Sequence, residues 1–360
     1  MNADSTTPKT GPSPLHLPRL LTSTLLLLVL IGLAVLLLSD LIASRKREYE
    51  TVQRDSENLA RVIDRQIMTA VEKIDVVLRE TAIDYAPVVN DGKPRKLLDA
   101  NLDLQRWMQY TPEVQKESLR VINKEGRVVY NAGNSAELPN VFVGDRAYFL
   151  QQKASKENQL VISEPLLSRF TNKWLLTLSR PMYNAKGEFG GVVQMALRTE
   201  YFQSMFEKLD IEPRSNVSLF DVNLRLLSRH PALPEQIGKQ FDTPAKAGIS
   251  AGLTTFHYEN VSKVDGVNRL FVFRKLEGLP YLIVIGRSPE EFLYGWYVKA
   301  FLYGVAFICL SLALTSFLFV FYRHTERNRQ LIAEVFEASD EAIVVTDAQG
   351  RVVTANHAFT

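Results

Sequence analysis

One cysteine, Cys309, stands among 360 residues, so no internal disulfide can hold this chain together. A thiol-poor chain fits an oxidising compartment and a reducing one equally well, so the compartment stays open on this ground. Histidine is scarce too. His230 and His257 have no companion Cys or His at ligand spacing, which argues against a metal centre. There is no G-x-S-x-G, no phosphate loop and no paired set of zinc ligands, so no catalytic constellation is legible and no cofactor is implied. His324 lacks the sequence context of a phosphorylated histidine and reads as an interfacial anchor. Excess charge of either sign is missing as well: 42 Lys and Arg against 40 Asp and Glu leave a net +2. No basic tract alternates with aromatics, so nothing points to a nucleic-acid partner.

What the chain does have is two long apolar runs, residues 20–38 and 300–322, enclosing a polar stretch. Each approaches the roughly 20 residues needed to cross a bilayer. The first is expected to be a transmembrane helix over residues 20–43. A cleaved signal peptide is the rival reading, but its apolar core would be about 7–15 residues and no small-x-small cleavage site follows. The second, over residues 290–322, carries Trp296, Tyr297 and Tyr303 at one end and Phe319, Phe321 and Tyr322 at the other, an aromatic belt at both interfaces. Arg323, Arg327 and Arg329 after the second span place the C-terminus inside; Arg45, Lys46 and Arg47 after the first argue the reverse. Long loops cross largely regardless of charge, so the expectation is a loop of residues 44–289 outside the membrane and both termini in the cytoplasm.

Residues 1–19, with four prolines, read as a disordered tail. Residues 44–82 place Leu59, Ile63, Ile67, Ala70, Ile74 and Val77 three or four apart, the pattern of one long helix with an apolar seam. Such a helix would rise about 55 Å. Its seam could pack on its own domain or, nearer the membrane, form a homodimeric coiled coil. A motif then recurs three times: LRVINKEGRVVY at residues 119–130, VSLFDVNLRLLS at 217–228 and AIVVTDAQGRVVTA at 342–355. Each is a strand-like run, an Asn or Asp that opens a turn, and then Arg and aliphatics. Three copies predict three related modules. Strands are expected at 174–183, 189–198, 253–258, 270–275 and 281–287, with short helices at 146–153 and 201–209. The fold class is therefore α+β, with two antiparallel-sheet modules over residues 83–209 and 210–289. A linker helix over 323–336 and the start of a third module over 337–360 complete the organisation, and that third module is expected to continue in a longer protein.

The order of these elements, together with VGDRAYFLQQ at residues 143–152 and ISEPLLSRFTNKWLLTLSRPMY at 162–183, resembles the double Cache (tandem PAS-like) extracellular sensor domain. The resemblance covers about residues 45–289. Its wording is similar to versions found on bacterial diguanylate cyclases and cyclic-di-GMP phosphodiesterases, and VFEASDEAIVVTDAQGRVVTANHAFT at 335–360 resembles the opening of a cytoplasmic PAS domain. It implies a two-pass sensor of the bacterial inner membrane that binds a small molecule in the periplasm and signals as a homodimer. No GGDEF or EAL motif occurs in these residues, so the enzymatic output would lie outside them. A histidine-kinase input or a chemoreceptor is the alternative, although a chemoreceptor would ordinarily place a HAMP pair of helices after the second span.

In members of the resembled family that recognise amino acids, an Arg and two aromatics on the first module's helix grip the carboxylate and a strand Asp grips the ammonium. Arg146, Tyr148 and Phe149 match the first part, with Tyr148 where a Trp is usual; the strand position falls near Ala196, where no carboxylate exists. The resemblance thus implies a carboxylate or other anion rather than an α-amino acid. Arg146 either anchors that ligand, since a guanidinium fork takes two oxygens at once, or pairs with a structural Asp. Asp145 reads as a helix cap or a partner of Arg146 before it reads as a contact. Tyr148 and Phe149 are adjacent on a helix, so one lines the pocket and the other the core. Trp174 walls the pocket or packs in the core. Arg180 projects into the pocket or covers a sheet edge.

Overall fold

The computed structural model describes residues 16–90, 95–111, 119–132, 141–169 and 174–359. The chain forms two compact units, residues 47–294 and the two flanking segments up to Lys46 and from Gly295 onward.

The first unit is built on α1 (His16–Asn90), a single helix of 75 residues. From Arg47 to Ala86 it contains neither Gly nor Pro, so nothing interrupts the hydrogen-bond ladder. Its apolar residues recur at helical spacing, and the stripe Ala60, Ile63, Ile67, Ala70, Ile74, Val77 and Leu78 is buried. That stripe faces two sheets at once. The first contains β1 (Leu119–Asn123), β2 (Val128–Asn131), β3 (Val161–Ile162), β4 (Leu166–Leu167), β5 (Trp174–Tyr183) and β6 (Phe189–Arg198), in the order β2-β1-β6-β5-β3 with β4 also on β5. The second contains β7 (Asn216–Asp221), β8 (Leu226–His230), β9 (Thr255–Val261), β10 (Asn268–Lys275) and β11 (Tyr281–Arg287), in the order β8-β7-β11-β10-β9. All the pairings are antiparallel. Both sheets follow one topology: the first strand lies between the second, at the edge, and the last, at the centre. Helices α2 (Leu97–Trp107) and α3 (Ala147–Ala154) pack on the first sheet, α5 (Ala245–Ser250) and α6 (Pro289–Phe292) on the second, and α4 (Thr199–Phe206) meets β8 of the second sheet as well as β5 and β6 of the first.

The recurring motif is one local structure. Asn123, Asp221 and Asp347 each accept, through the side chain, the backbone N–H four residues on, at 2.9, 2.7 and 2.8 Å. Each also accepts, through its backbone carbonyl, the N–H three residues on, and in each pair of strands a bulge falls just before the turn. Gly126 and Gly350 supply the left-handed residue at φ 82° and 78°. In the middle copy Leu224 adopts φ 60° without being Gly, a strain of about 1–3 kcal/mol that its burial against Phe220 and Leu226 offsets. The same local structure recurs at the β5–β6 turn, where Asn184 makes the same bonds and Gly187 adopts φ 78°.

Strand alternation gives each sheet two faces. In the first sheet, Leu119 and Val121, Leu176 and Leu178, and Val193, Met195 and Leu197 lie in the core that holds α1; Val217, Leu219, Ile283 and Ile285 of the second sheet join the same cluster. Of the two partners open to the seam, its own domain takes these residues. Ile63, Ile67, Ile74 and Val77 are all in this core, because two sheets offer far more apolar area than a thin coiled-coil stripe. The helix also ends at Asn90 rather than near residue 82, and it begins at His16, inside the stretch read as a disordered tail; residues 1–15 of that tail lie outside the described residues.

In the second unit, α1 up to Lys46 pairs with α7 (Tyr294–Glu337). Both helices are long and apolar enough to cross a membrane, and no residue in their most apolar windows is buried. Trp296 Nε1 donates to the Leu41 carbonyl at 2.9 Å, Lys299 Nζ sits 2.7 Å from Asp40 Oδ2, and Tyr303 Oη bonds the same carboxylate at 3.2 Å. Thr22 and Tyr322 bond at the other end. The expected linker helix is the continuation of α7, and the hairpin β12 (Val344–Thr346) and β13 (Val352–Ala355) follows it.

Candidate ligand-binding site

A narrow cleft of about 20 Å³ opens on the face of the first sheet turned away from α1. Its floor comes from the alternation just described. Arg120 on β1 stands opposite Gln194 on β6, and Thr177 on β5 completes a polar centre in an otherwise apolar face. All three are buried. Tyr148 enters from the first turn of α3, Arg146 from the residue that caps it, and Leu166, Ser168 and Arg169 from the segment around β4. Helix α3 is tied down at its far end: Gln152 Nε2 donates to the carbonyls of Ser179 and Gln159 at 2.7 and 3.1 Å.

Three guanidinium groups, of Arg120, Arg146 and Arg169, therefore line one cleft, and among the described residues that line it none is acidic. Arg146 Nη2 donates to the Leu167 carbonyl at 3.1 Å, which holds its fork at the rim. Arg169 makes a bidentate pair with Asp145, at 2.8 and 2.6 Å, and a bond of 2.7 Å to the Phe142 carbonyl. The Arg169 hydrogen bonds hold the Asp145 carboxyl below its ordinary range. Burial pushes the Tyr148 hydroxyl well above its usual value, so it stays a neutral donor throughout the physiological range. Cationic forks, a phenol and an amide converging on a part-buried cleft suit an anion with two or more oxygens.

Four of the six candidate residues need correction or refinement. Arg146 and Tyr148 line the cleft. Asp145 pairs with Arg169 rather than Arg146 and does not cap α3, whose N-cap is Arg146 itself. Phe149, one position from Tyr148, points into the apolar cluster under α3 and meets Phe189 edge-on, 5.7 Å between centroids. Trp174 lies away from the cleft, with the Arg225 guanidinium 5.6 Å from its ring centroid. It packs so closely on Gly238 that a Cβ there would sit 2.7 Å from the indole. Arg180 faces α1: its Nη2 donates to Asp75 Oδ2 at 2.8 Å, its Nε to Asp75 Oδ1, and its Nη1 to the Asn158 carbonyl at 2.7 Å. Trp174 and Arg180 share even positions with Leu176 and Leu178, and alternation puts all four on the helix-facing side of β5. Arg120, Arg169, Thr177 and Gln194 were not anticipated. The signal was there for Arg120 and Gln194, polar residues at inward positions of otherwise apolar strands.

Because Arg180 clamps helix to sheet, Arg180→Ala leaves the part-buried Asp75 with only its 3.2 Å bond to Arg79. A loss of about 1–3 kcal/mol is expected, read as a lower thermal midpoint for the detergent-solubilised chain. Anion binding at the cleft should be unchanged, since Arg180 lies on the opposite face.

The sequence profile of the Cache domain matches residues 43–296, well over half of the chain. The chain belongs to the Cache domain family. Solved Cache structures share its fold. The extracellular domain of rpHK1S-Z16, assigned to a histidine kinase, is 23% identical with a TM-score of 0.58, covering 68% of this chain and 99% of that one. The sensory domain of the Campylobacter jejuni chemoreceptor Tlp3 with isoleucine bound is 15% identical with a TM-score of 0.52, covering 69% and 97%. The ligand-binding domain of Mlp24 with asparagine is 13% identical with a TM-score of 0.52, covering 71% and 98%. No curated protein matches the chain. The resemblance read from residues 143–152 and 162–183 is borne out at the level of family.

Proposed function

We propose that this Cache protein is a two-pass sensor of a bacterial inner membrane, whose residues 44–289 lie outside and bind a small anion in the first module. The observation that carries the reading is the convergence of Arg120, Arg146 and Arg169 with Tyr148 on a cleft whose described lining residues include none that is acidic. Tlp3 and Mlp24 were solved with isoleucine and asparagine. An α-ammonium would find no counter-charge here, because β6 carries Ala196, opposite Thr177, where the resembled family pattern would place a carboxylate. The ligand class is therefore a carboxylate or similar anion lacking that group.

Binding outside is passed on through α1, which touches both sheets and also supplies the first span, and through α7, which leads into the β12–β13 hairpin. The output proposed is a cyclic-di-GMP cyclase or phosphodiesterase, with residues 337–360 as the start of a PAS domain; a histidine kinase or a chemoreceptor is the alternative. Homodimerisation is proposed on the outward face of α1, where Val62, Val76 and Ile83 are exposed. Their spacing in multiples of seven suits a helix pair.

The test is a thermal-shift and calorimetric comparison of pyruvate, succinate, isethionate, alanine and aspartate on the nanodisc-embedded chain. A ligand at a hundred times its Kd stabilises by about 2.7 kcal/mol, well within range of the method. An anion without an α-ammonium is expected to bind, and Arg120→Met and Arg146→Ala are each expected to weaken it at least tenfold. Binding that survives both substitutions, or that prefers alanine to pyruvate, rejects the cleft.

A further inference from the structure

The second module has a cavity of its own. It lies on the face of the second sheet turned away from α1, in the position that the anion cleft occupies on the first, and encloses about 40 Å³, so an occupant larger than water enters by parting the aromatic side chains that wall it. Alternation again makes it. Val217 and Leu219 of β7 face the α1 core, while Asn216, Ser218 and Phe220 face the cavity. Tyr258, Phe271 and Phe273 form an aromatic wall, with ring centroids 5.4–5.5 Å apart for Tyr258 against each of the other two. Such faces favour an apolar or aromatic body.

The polar end is as specific. Asn216 is 4% exposed, yet its Oδ1 has no hydrogen-bond partner among the described residues; its Nδ2 donates to Ser218 Oγ at 2.9 Å. A buried amide left half-satisfied costs about 1–3 kcal/mol, which a bound polar group would recover. Room for the amide depends on Gly286, where a Cβ would come within 2.4 Å of that oxygen. Among the lining residues Arg229 and Lys263 are cationic and none is acidic. Asp265 is the carboxylate bonded to Arg229, and it is shared with Arg269 at 2.7 Å.

We propose that this cavity is a second ligand site, taking a small monoanion with an aromatic or branched apolar body. The body stacks on Tyr258, Phe271 and Phe273 while the anionic end reaches Asn216, Ser218 and Arg229. The site is separate from the anion cleft in place and in chemistry: aromatic walls here, three guanidinium groups there.

The test uses the whole chain in lipid nanodiscs, with empty nanodiscs as the partition control, and calorimetry with phenylacetate, isovalerate, benzyl alcohol and benzylamine. Phenylacetate or isovalerate is expected to bind saturably at one site per chain, with benzyl alcohol at least tenfold weaker and benzylamine weaker still. Ser218→Leu, which fills the floor, and Asn260→Leu, at a position of the half-exposed strand β9 that lines the cavity, should each lower the affinity at least tenfold. Arg120→Met, in the other module, should leave it unchanged. The inference is overturned by absence of saturable binding of both acids, by equal binding of benzylamine, by affinity unchanged in both second-module variants, or by loss in Arg120→Met. That last result would instead place the acid in the first cleft.

Discussion

Ile63→Lys is expected to abolish folding of residues 47–294, whereas Val62→Lys, one residue earlier, should leave them folded. Ile63 is 0% exposed in the core shared by α1 and both sheets, and Val62 is 53% exposed. At pH 7 a lysine forced into that core must give up its proton. Moving from an ordinary value near 10.4 to neutral at pH 7 costs about 4–5 kcal/mol, before the lost isoleucine packing is counted. A typical domain has only about 5–15 kcal/mol in hand. Circular dichroism and protease resistance of the solubilised variants give the comparison. Folded Ile63→Lys protein would mean that α1 is not the spine of the unit. The seam residues were legible as a seam, but a seam does not name its partner. Within one chain, Ile63 and its neighbours meet two sheets, so the position cannot serve as a clean probe of signalling. Val62 on the outward face is the position to use.

How far the sequence could be read depends on the range of the interaction. Local signals were dependable: the ends of β5 and β6 coincide with the expected 174–183 and 189–198, and three Asx turns were visible from Asn or Asp placed ahead of Arg and aliphatics. Periodicity also found α1, since an uninterrupted helical stripe needs no tertiary information. Which face of a strand meets what was harder. The even positions of β5 hold Trp174, Leu176, Leu178 and Arg180, and parity alone says that these four share a side. It does not say that the side is α1's, so an arginine clamping Asp75 looked like a ligand contact. Arg169 was out of reach for another reason: its role depends on Asp145, 24 residues away, through a segment with little regular structure. Helix α2 had no expected counterpart at all, though its Asn101 Oδ1 accepts the Asn131 N–H at 3.0 Å and so ends β2.

Tyr281→Ala is expected to destabilise the 47–294 unit by about 3–5 kcal/mol, the range for removing a large buried ring. Tyr281 is 2% exposed on β11 of the second sheet. Its ring packs in the core with Ile67 and Val71 of α1, Leu176 and Leu178 of the first sheet, and Leu219 of its own. Its hydroxyl donates to the Ser163 carbonyl of the first module, and burial pushes the phenol far above its usual range, so it remains a donor. One side chain thus joins three elements that are distant in sequence. The two modules can respond to ligand as one body only while such contacts hold. Tyr281→Phe separates the contributions: it keeps the ring but strands the buried Ser163 carbonyl, for a loss of about 1–3 kcal/mol. For a unit of this size each kcal/mol lowers the midpoint by roughly 2–4 °C, so the Ala variant should melt about 6–20 °C early and the Phe variant about 2–12 °C early. Anion affinity at the first cleft should be preserved in Tyr281→Phe, because neither Arg120 nor Arg146 touches this junction. A Phe variant as stable as the parent would show that the hydroxyl does not help to hold the modules together, and an Ala variant as stable as the parent would show that they are joined elsewhere.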